Sequence, residues 1–215
     1  MIVESASAYA ESVDNVMIFI CVVSVVMLLL AAIPMIYFAI RYERKKNPKA
    51  EQIEGNVTLE ILWIVIPTIL VMFMFYYGYA DFVNLRSTSN IDLKIKVTAK
   101  QWVWDFQYPN GKKADTCYIP LGKTVKFELA SADVLHSFFL PGFRIKEDVV
   151  PNVPTYVIIT PRVPGVYDVP CAEYCGRDHS MMYTTLHVVP VDEYNTWLNK
   201  GMPAAAPIDS TKKAN

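Results

Sequence analysis

The chain has 215 residues, 53% of them apolar and 19% charged, with 20 Lys and Arg against 21 Asp and Glu. That length holds one or two domains, and an aromatic share of 13% beside only 8 Gly excludes a disordered or collagen-like chain. A net charge of −1 lacks the cationic excess needed to neutralise nucleic-acid phosphates, so no nucleic acid is expected as a partner.

Residues 15–40 carry no formal charge over 26 positions. At about 1.5 Å per residue such a helix exceeds a hydrocarbon core roughly 30 Å thick, so it should cross a lipid membrane. Residues 61–80 form a second uncharged run, of 20 residues, ending in a cluster of Tyr76, Tyr77 and Tyr79 that suits an interfacial belt. Each run holds a proline, Pro34 and Pro67, expected to kink a helix but tolerated in a membrane.

The expected hairpin covers residues 15–81, with spans at about 15–40 and 59–80 and a loop over 41–58. Arg41, Arg44, Lys45, Lys46 and Lys49 crowd that loop, whereas the first 15 residues have neither Lys nor Arg. The positive-inside rule puts the loop in the cytoplasm or matrix, and residues 1–14 and everything after 81 outside.

Residues 82–200 read as an outer β domain, and 201–215 as a disordered Pro/Ala/Lys tail. In 91–99, Ile91, Leu93, Ile95 and Val97 alternate with Asp92, Lys94, Lys96 and Thr98, the period of a half-buried strand. Similar runs follow at 102–108, 124–130, 155–160, 165–169 and 183–189, separated by turn signals such as Pro-Asn-Gly at 109–111. Many short strands at this spacing make a sandwich or barrel. Only 191–200 reads as a short helix.

The densest chemistry lies in 171–182, where Cys171, Cys175, His179 and Met182 stand at offsets 0, 4, 8 and 11, with His136 35 residues upstream of the first. Thiolate and thioether together favour copper, since zinc sites draw on Cys, His and carboxylate. The second Cys permits two copper ions to share both sulfurs, an arrangement suited to electron transfer because little has to move. A Cys171–Cys175 disulfide is the competing reading in an oxidising outer compartment. His187 reads as a packed or solvated strand residue, Met181 as filler, Cys21 as a small apolar helix residue and Cys117 as an isolated thiol.

These residues, with the motifs Glu-Ile-Leu-Trp at 60–63, Gln-Trp-Val-Trp at 101–104 and Asp-Val-Leu-His-Ser at 133–137, make the chain similar over nearly its whole length to subunit II of the haem-copper cytochrome c oxidases. The resemblance implies a cupredoxin-like Greek-key barrel behind the two-helix anchor, on the outer face of a bacterial plasma membrane or mitochondrial inner membrane. It implies a dinuclear copper centre, with Cys171 and Cys175 bridging, His136 and Met182 completing one ion, and His179 and the Glu173 carbonyl the other.

The Glu173 side chain would bind magnesium against the catalytic subunit I. Trp102 would be where electrons enter, and Glu60 the mouth of a proton path. Asp133, with Asp105 as a plausible neighbour, would help dock cytochrome c. The chain would be part of an enzyme that reduces oxygen to water and translocates protons, without being catalytic alone, beside other oxidase subunits. The alternatives are a quinol-oxidase-type subunit II without copper, or a membrane-anchored copper carrier.

Two departures accompany the resemblance. The family's Gly-His before Gln-Trp is Ala99-Lys100 here, and residues 82–215 hold 15 Lys and Arg against 13 Asp and Glu, where a basic donor would favour an acidic face. Period-2 alternation also puts Trp102, Trp104, Phe106 and Tyr108 on one strand face.

Overall fold

The computed structural model describes residues 5–49, 52, 54–86 and 90–200, so the expected tail at 201–215 lies outside the described residues. The chain divides into two units, one holding residues 11–87 and the other the N-terminal residues together with the chain after 88.

The first unit contains helices α1 (Ala8–Arg41) and α2 (Val57–Leu85). Both have stretches long and apolar enough to cross a membrane, with their apolar side chains facing outward. Each begins at a side-chain cap that satisfies a backbone N–H the helix leaves unpaired: Ser7 Oγ accepts the Ala10 N–H at 3.2 Å, and Asn56 Oδ1 accepts the Leu59 N–H at 3.2 Å. At the far end of α1, Asn47 Nδ2 donates to the Arg41 carbonyl at 2.7 Å. Both helices run through their prolines. Beside Pro67, Thr68 Oγ1 donates to the Ile64 carbonyl at 2.6 Å. α1 starts seven residues before the uncharged run because the polar turn ahead of it is capped and helical as well.

The second unit is a β domain. Its strands are β1 (Leu93–Lys100), β2 (Val103–Gln107), β3 (Lys113–Ala114), β4 (Cys117–Pro120), β5 (Val125–Ser131), β6 (His136–Leu140), β7 (Ile145–Val149), β8 (Thr155–Ile159), β9 (Gly165–Pro170) and β10 (Tyr183–Val189), followed by α3 (Val191–Asn199). They form a five-stranded sheet in the order β3-β2-β1-β5-β8, a three-stranded sheet β4-β10-β9, and the β6–β7 hairpin. β1 pairs with β5 in parallel, and β4 with β10 in parallel, so these neighbours in the sheets are distant in sequence.

Four strands escape the alternation argument. β6 is buried at four of its five positions and β4 at three of its four, so neither shows an exposed face for a period to reveal. β7 is five residues of mixed charge, and β3 only two residues long. The expected aromatic face also divides. Trp104, Phe106 and Tyr108 are buried, but β2 starts only at Val103, and Trp102 lies half-buried in the turn before it.

The core is aromatic, with Phe138 at its centre: Trp104, Phe106 and Phe127 stand around it at centroid distances of 5.3, 6.3 and 5.4 Å. Edge-to-face and tilted contacts of this kind add to the burial term. The N-terminal segment, expected only as an outer stub, joins this domain. The Ala6 N–H donates to the Gly142 carbonyl at 3.0 Å, the Arg162 N–H donates to the Ala6 carbonyl at 2.9 Å, and Ala6 is fully buried.

At the other end of the barrel the Tyr108 hydroxyl accepts the Tyr118 N–H at 2.8 Å and donates to the Tyr118 carbonyl at 3.1 Å, beside the buried Cys117 thiol. Tyr118 stacks between His187 and Trp197, each at 4.5 Å, and Lys112 donates to the Trp197 carbonyl, which fastens the end of α3. Burial pushes Tyr108 and Cys117 well above their ordinary ionisation ranges and Tyr194 to about 12.

In the unfolded chain the thiol and phenols ionise first, at about 8.5 and 10. The stability these groups contribute is therefore fully present below that range and falls as pH rises above it towards the raised folded values. Thermal unfolding of the detergent-solubilised chain should show this alkaline fall. Tyr108→Phe, which strands the Tyr118 N–H and carbonyl, should cost about 1–3 kcal/mol at neutral pH and flatten the fall.

Candidate metal centre

The ligand types meet at the end of the β9–β10 hairpin. That antiparallel ladder ends at the pair Pro170 and Tyr183, and one step further the Cys171 N–H donates to the Met182 carbonyl at 2.9 Å. The connecting loop folds back through a 3₁₀ turn at His179–Met181, with the His179 N–H donating to the Gly176 carbonyl at 3.2 Å and the Met182 N–H to the His179 carbonyl at 3.1 Å. Residues eleven apart in sequence thereby become neighbours. On the other side the loop continues the β6 edge: Phe138 forms a bridge with Cys171, and the Ala172 N–H donates to the Ser137 carbonyl at 3.0 Å. His136, the first residue of β6, is thus carried to the same place.

Cys171 Sγ and Cys175 Sγ lie 3.9 Å apart as free thiols. Around Cys171 stand His136 Nδ1 at 3.9 Å and the Glu173 carbonyl at 3.3 Å; around Cys175 stand His179 Nδ1 at 3.5 Å and Met182 Sδ at 3.7 Å. The ligand atoms of His136, Cys171 and Cys175 all fall within 4.8 Å of one another, and all three residues are buried. The tandem methionines part, Met182 being 1% exposed and Met181 76%.

Burial first, and then the neighbouring Cys171, push the Cys175 thiol above its ordinary value. A metal binding here must therefore displace protons. Two thiols, two imidazoles, a thioether and a carbonyl gathered about the two cysteine sulfurs form a donor set that fits a soft or borderline metal, and the thioether favours copper over zinc.

The remaining sequence-derived residues distribute differently. The Trp102 ring packs against the loop, where a Cβ on Gly176 would meet Trp102 Cζ2 and Nε1 at 3.4 Å, and the Arg177 guanidinium lies 5.7 Å from the ring centre. Arg177 is itself paired with Asp178 at 3.1 Å. Asp105 lies on β2 opposite Thr98, and Glu60 occupies the first turn of α2, in the other unit.

Asp133 is exposed and at the same time hydrogen-bonded within the chain. Its Oδ1 bonds His136 Nε2 at 2.8 Å and its Oδ2 accepts the Gln101 N–H at 2.8 Å. Partial burial opposes ionisation, but the Gln101 N–H, the His136 ring and the Val134 N–H outweigh it and hold the carboxyl below its ordinary value. Gln101, which motif reading passed over in favour of its tryptophan neighbour, donates from Nε2 to the Cys175 carbonyl at 2.7 Å. Its pairing depends on a loop 74 residues away, which no local pattern reveals.

Two apolar helices and a β domain with this ligand cluster define a membrane-anchored protein with a periplasmic-type domain. The cytochrome c oxidase subunit II transmembrane domain matches residues 1–80, and the periplasmic domain of the same subunit matches residues 112–189. Cytochrome c oxidase subunit 2 of Alkalihalophilus pseudofirmus is 36% identical over 201 residues, covering 89% of this chain and 58% of that relative's length. The subunit from Thermostichus vulcanus is 29% identical, covering 95% of this chain and 80% of the relative. The crystal structure of the periplasmic domain of subunit II (CoxB) of Bradyrhizobium japonicum superposes with a TM-score of 0.50 at 30% identity, over 53% of this chain and 95% of that one. The chain belongs to the cytochrome c oxidase subunit II family, and its β domain has the cupredoxin-like fold expected of it.

Gly176 sits at φ +124°, and a Cβ there would approach Gln101 Nε2 to 2.8 Å. Gly176→Ala should therefore break the Gln101–Cys175 bond and cost about 1–3 kcal/mol, measured as a lowered unfolding temperature of the metal-free protein.

Proposed function

We propose that this chain is the electron-accepting subunit of a cytochrome c oxidase, taking electrons from cytochrome c and passing them towards the haem of catalytic subunit I, where oxygen is reduced to water and protons are translocated. The observation that carries the reading is the pair of buried thiols 3.9 Å apart, flanked by two imidazoles and a thioether. Cys171 and Cys175 would hold two copper ions between them, with His136 and Met182 serving one and His179 and the Glu173 carbonyl the other. When bound, the copper pair supplies a one-electron store whose charge is spread over both metals.

The chain's own residues shape what surrounds that store. Cys171, Cys175, His136 and Met182 exclude water, being no more than 7% exposed. Trp102 reaches from the partly solvated surface to the backbone of Gly176, one residue from Cys175, so its ring offers a packed path from a docked donor. Neither thiol is spare for carrying substrate, which separates this site from a catalytic metal with an open position.

The remaining assignments belong to the same reading. The Glu173 side chain would hold magnesium at the boundary with subunit I. Glu60, exposed at the start of α2, would stand at the mouth of a proton path from the side of the basic loop. Because residues 5–10 are tied to the β domain, the start of α1 and the β domain share one side of the membrane. Taken with the loop cations, that side is the outer face of a bacterial plasma or mitochondrial inner membrane.

Copper loading of the detergent-solubilised chain under anaerobic conditions, followed by metal counting and electron paramagnetic resonance, tests the proposal. Two coppers per chain sharing one unpaired electron are expected. A single copper, or zinc in its place, would overturn it in favour of a carrier, and a chain that takes no metal would point to a quinol-oxidase-type subunit. Cys175→Ser should reduce the signal to that of one copper, and Trp102→Ala should slow reduction by cytochrome c at least about tenfold with the spectrum intact. Because the Cys175 thiol is raised and must lose its proton, copper affinity should climb between about pH 6 and pH 8 with release of protons, seen by calorimetry in buffers of different ionisation enthalpy.

A further inference from the structure

We infer that Gln101 and Asp133 together form a strap that positions the ligand cluster and Trp102, with Asp133 acting through His136. The inference rests on the reading of the cluster as a copper site. Three chain segments distant in sequence meet at the strap: the turn between β1 and β2, the segment leading into β6, and the β9–β10 loop. Asp133 binds the second segment to itself through the Val134 N–H at 2.7 Å and through His136 Nε2 at 2.8 Å. It reaches the first by accepting the Gln101 N–H at 2.8 Å. Gln101 then reaches the third, donating from Nε2 to the Cys175 carbonyl at 2.7 Å. The Asp133 N–H is in turn held by Ser131 Oγ at 3.2 Å.

Two consequences follow from donor and acceptor chemistry. With Nε2–H donating to the carboxylate, the His136 ring is held in the tautomer whose Nδ1 carries the free lone pair, and Nδ1 is the nitrogen nearer Cys171 Sγ. A carboxylate behind a ligating imidazole fixes its orientation and raises its basicity. His136 is fully buried, so no water competes for that bond. The second consequence concerns Trp102. Its backbone neighbour Gln101 is pinned at both its N–H and its amide, so the indole is seated against Gly176 by the same bonds that orient His136. Both Asp133 oxygens are engaged within the chain, although the residue is exposed and a carboxylate has acceptor sites to spare.

The test uses the full chain in detergent, with and without copper, comparing Asp133→Asn, Asp133→Glu and Gln101→Ala with the parent, and with Glu128→Gln as an equal change of charge on the outer sheet face. Metal content, the paramagnetic resonance spectrum and the midpoint potential are read without any donor present. Asp133→Asn should weaken copper retention about 10–100-fold, raise the midpoint potential through loss of a negative charge behind a ligand, and alter the spectrum. Gln101→Ala should change the spectrum in the same direction but less, and the two changes combined should be non-additive. Glu128→Gln should behave as the parent.

If Asp133→Asn fails to fold in circular dichroism, Asp133→Glu and Gln101→Ala decide. Parental spectra and potentials in both overturn the inference. A parental spectrum and copper content in Asp133→Asn, with only a raised KM for cytochrome c, likewise overturns it and leaves Asp133 a docking role alone. A parent chain that takes up no copper pair overturns the copper reading itself, a result distinguishable from a normal parent with unaffected variants.

Discussion

One backbone hydrogen bond sets the geometry on which everything else rests: the 2.9 Å contact from the Cys171 N–H to the Met182 carbonyl that closes the β9–β10 hairpin. It fixes the first and last ligands of a twelve-residue loop side by side and leaves the loop no freedom to drift from the barrel. Inside that closure the 3₁₀ turn shortens the return path, so that His179 and Met182 both come back to Cys175. A loop of this length without such a tie would sample many arrangements, and ordering its backbone costs about 1–2 kcal/mol per residue. Here the ordering is shared with the sheet.

The barrel supplies the rigidity behind the loop. Phe138 lies at the centre of the aromatic core, and its backbone also bridges to Cys171, so the packed interior and the ligand cluster share a strand. Trp104 packs edge-on to both Phe138 and His136, with its ring centre 6.3 Å from the imidazole. Side chains in a close-packed core have few alternative positions. Side chains mounted on such a core have little room to shift, which is what the proposed electron-transfer role would require. The same logic explains why the polar strap lies at the rim, where Gln101 and Asp133 can reach three segments without stranding a buried charge.

Charge around the surface differs from what a strongly basic donor would select. Arg177 lies over Trp102 and is paired with Asp178, while the exposed Asp133 carboxylate makes hydrogen bonds within its own chain. Exposed apolar residues Val134 and Leu135 lie beside the His136 segment. Under the proposed role, such apolar surface would add contact complementarity beside rim charges that act mainly on association rates.

The amino-acid sequence by itself determined the elements whose causes are local. Two uncharged runs longer than a bilayer is thick, strands with one wet face such as Leu93–Lys100, and the order Cys, Cys, His, Met in one loop can be read from spacing alone, because period and length are properties of neighbouring residues. Strand β6 could not be read so, being buried on both faces, and neither could the parallel β1–β5 and β4–β10 pairings, which depend on how distant segments cross. Tertiary structure alone decided that Trp102 leaves the aromatic face of its strand, that Ala6 belongs to the β domain, and that Asp133 and Gln101 join His136 to Cys175. Apart from the short Asp133–His136 link, each of those facts rests on a hydrogen bond or contact between residues tens of positions apart, and such bonds exist only once the chain has folded around them.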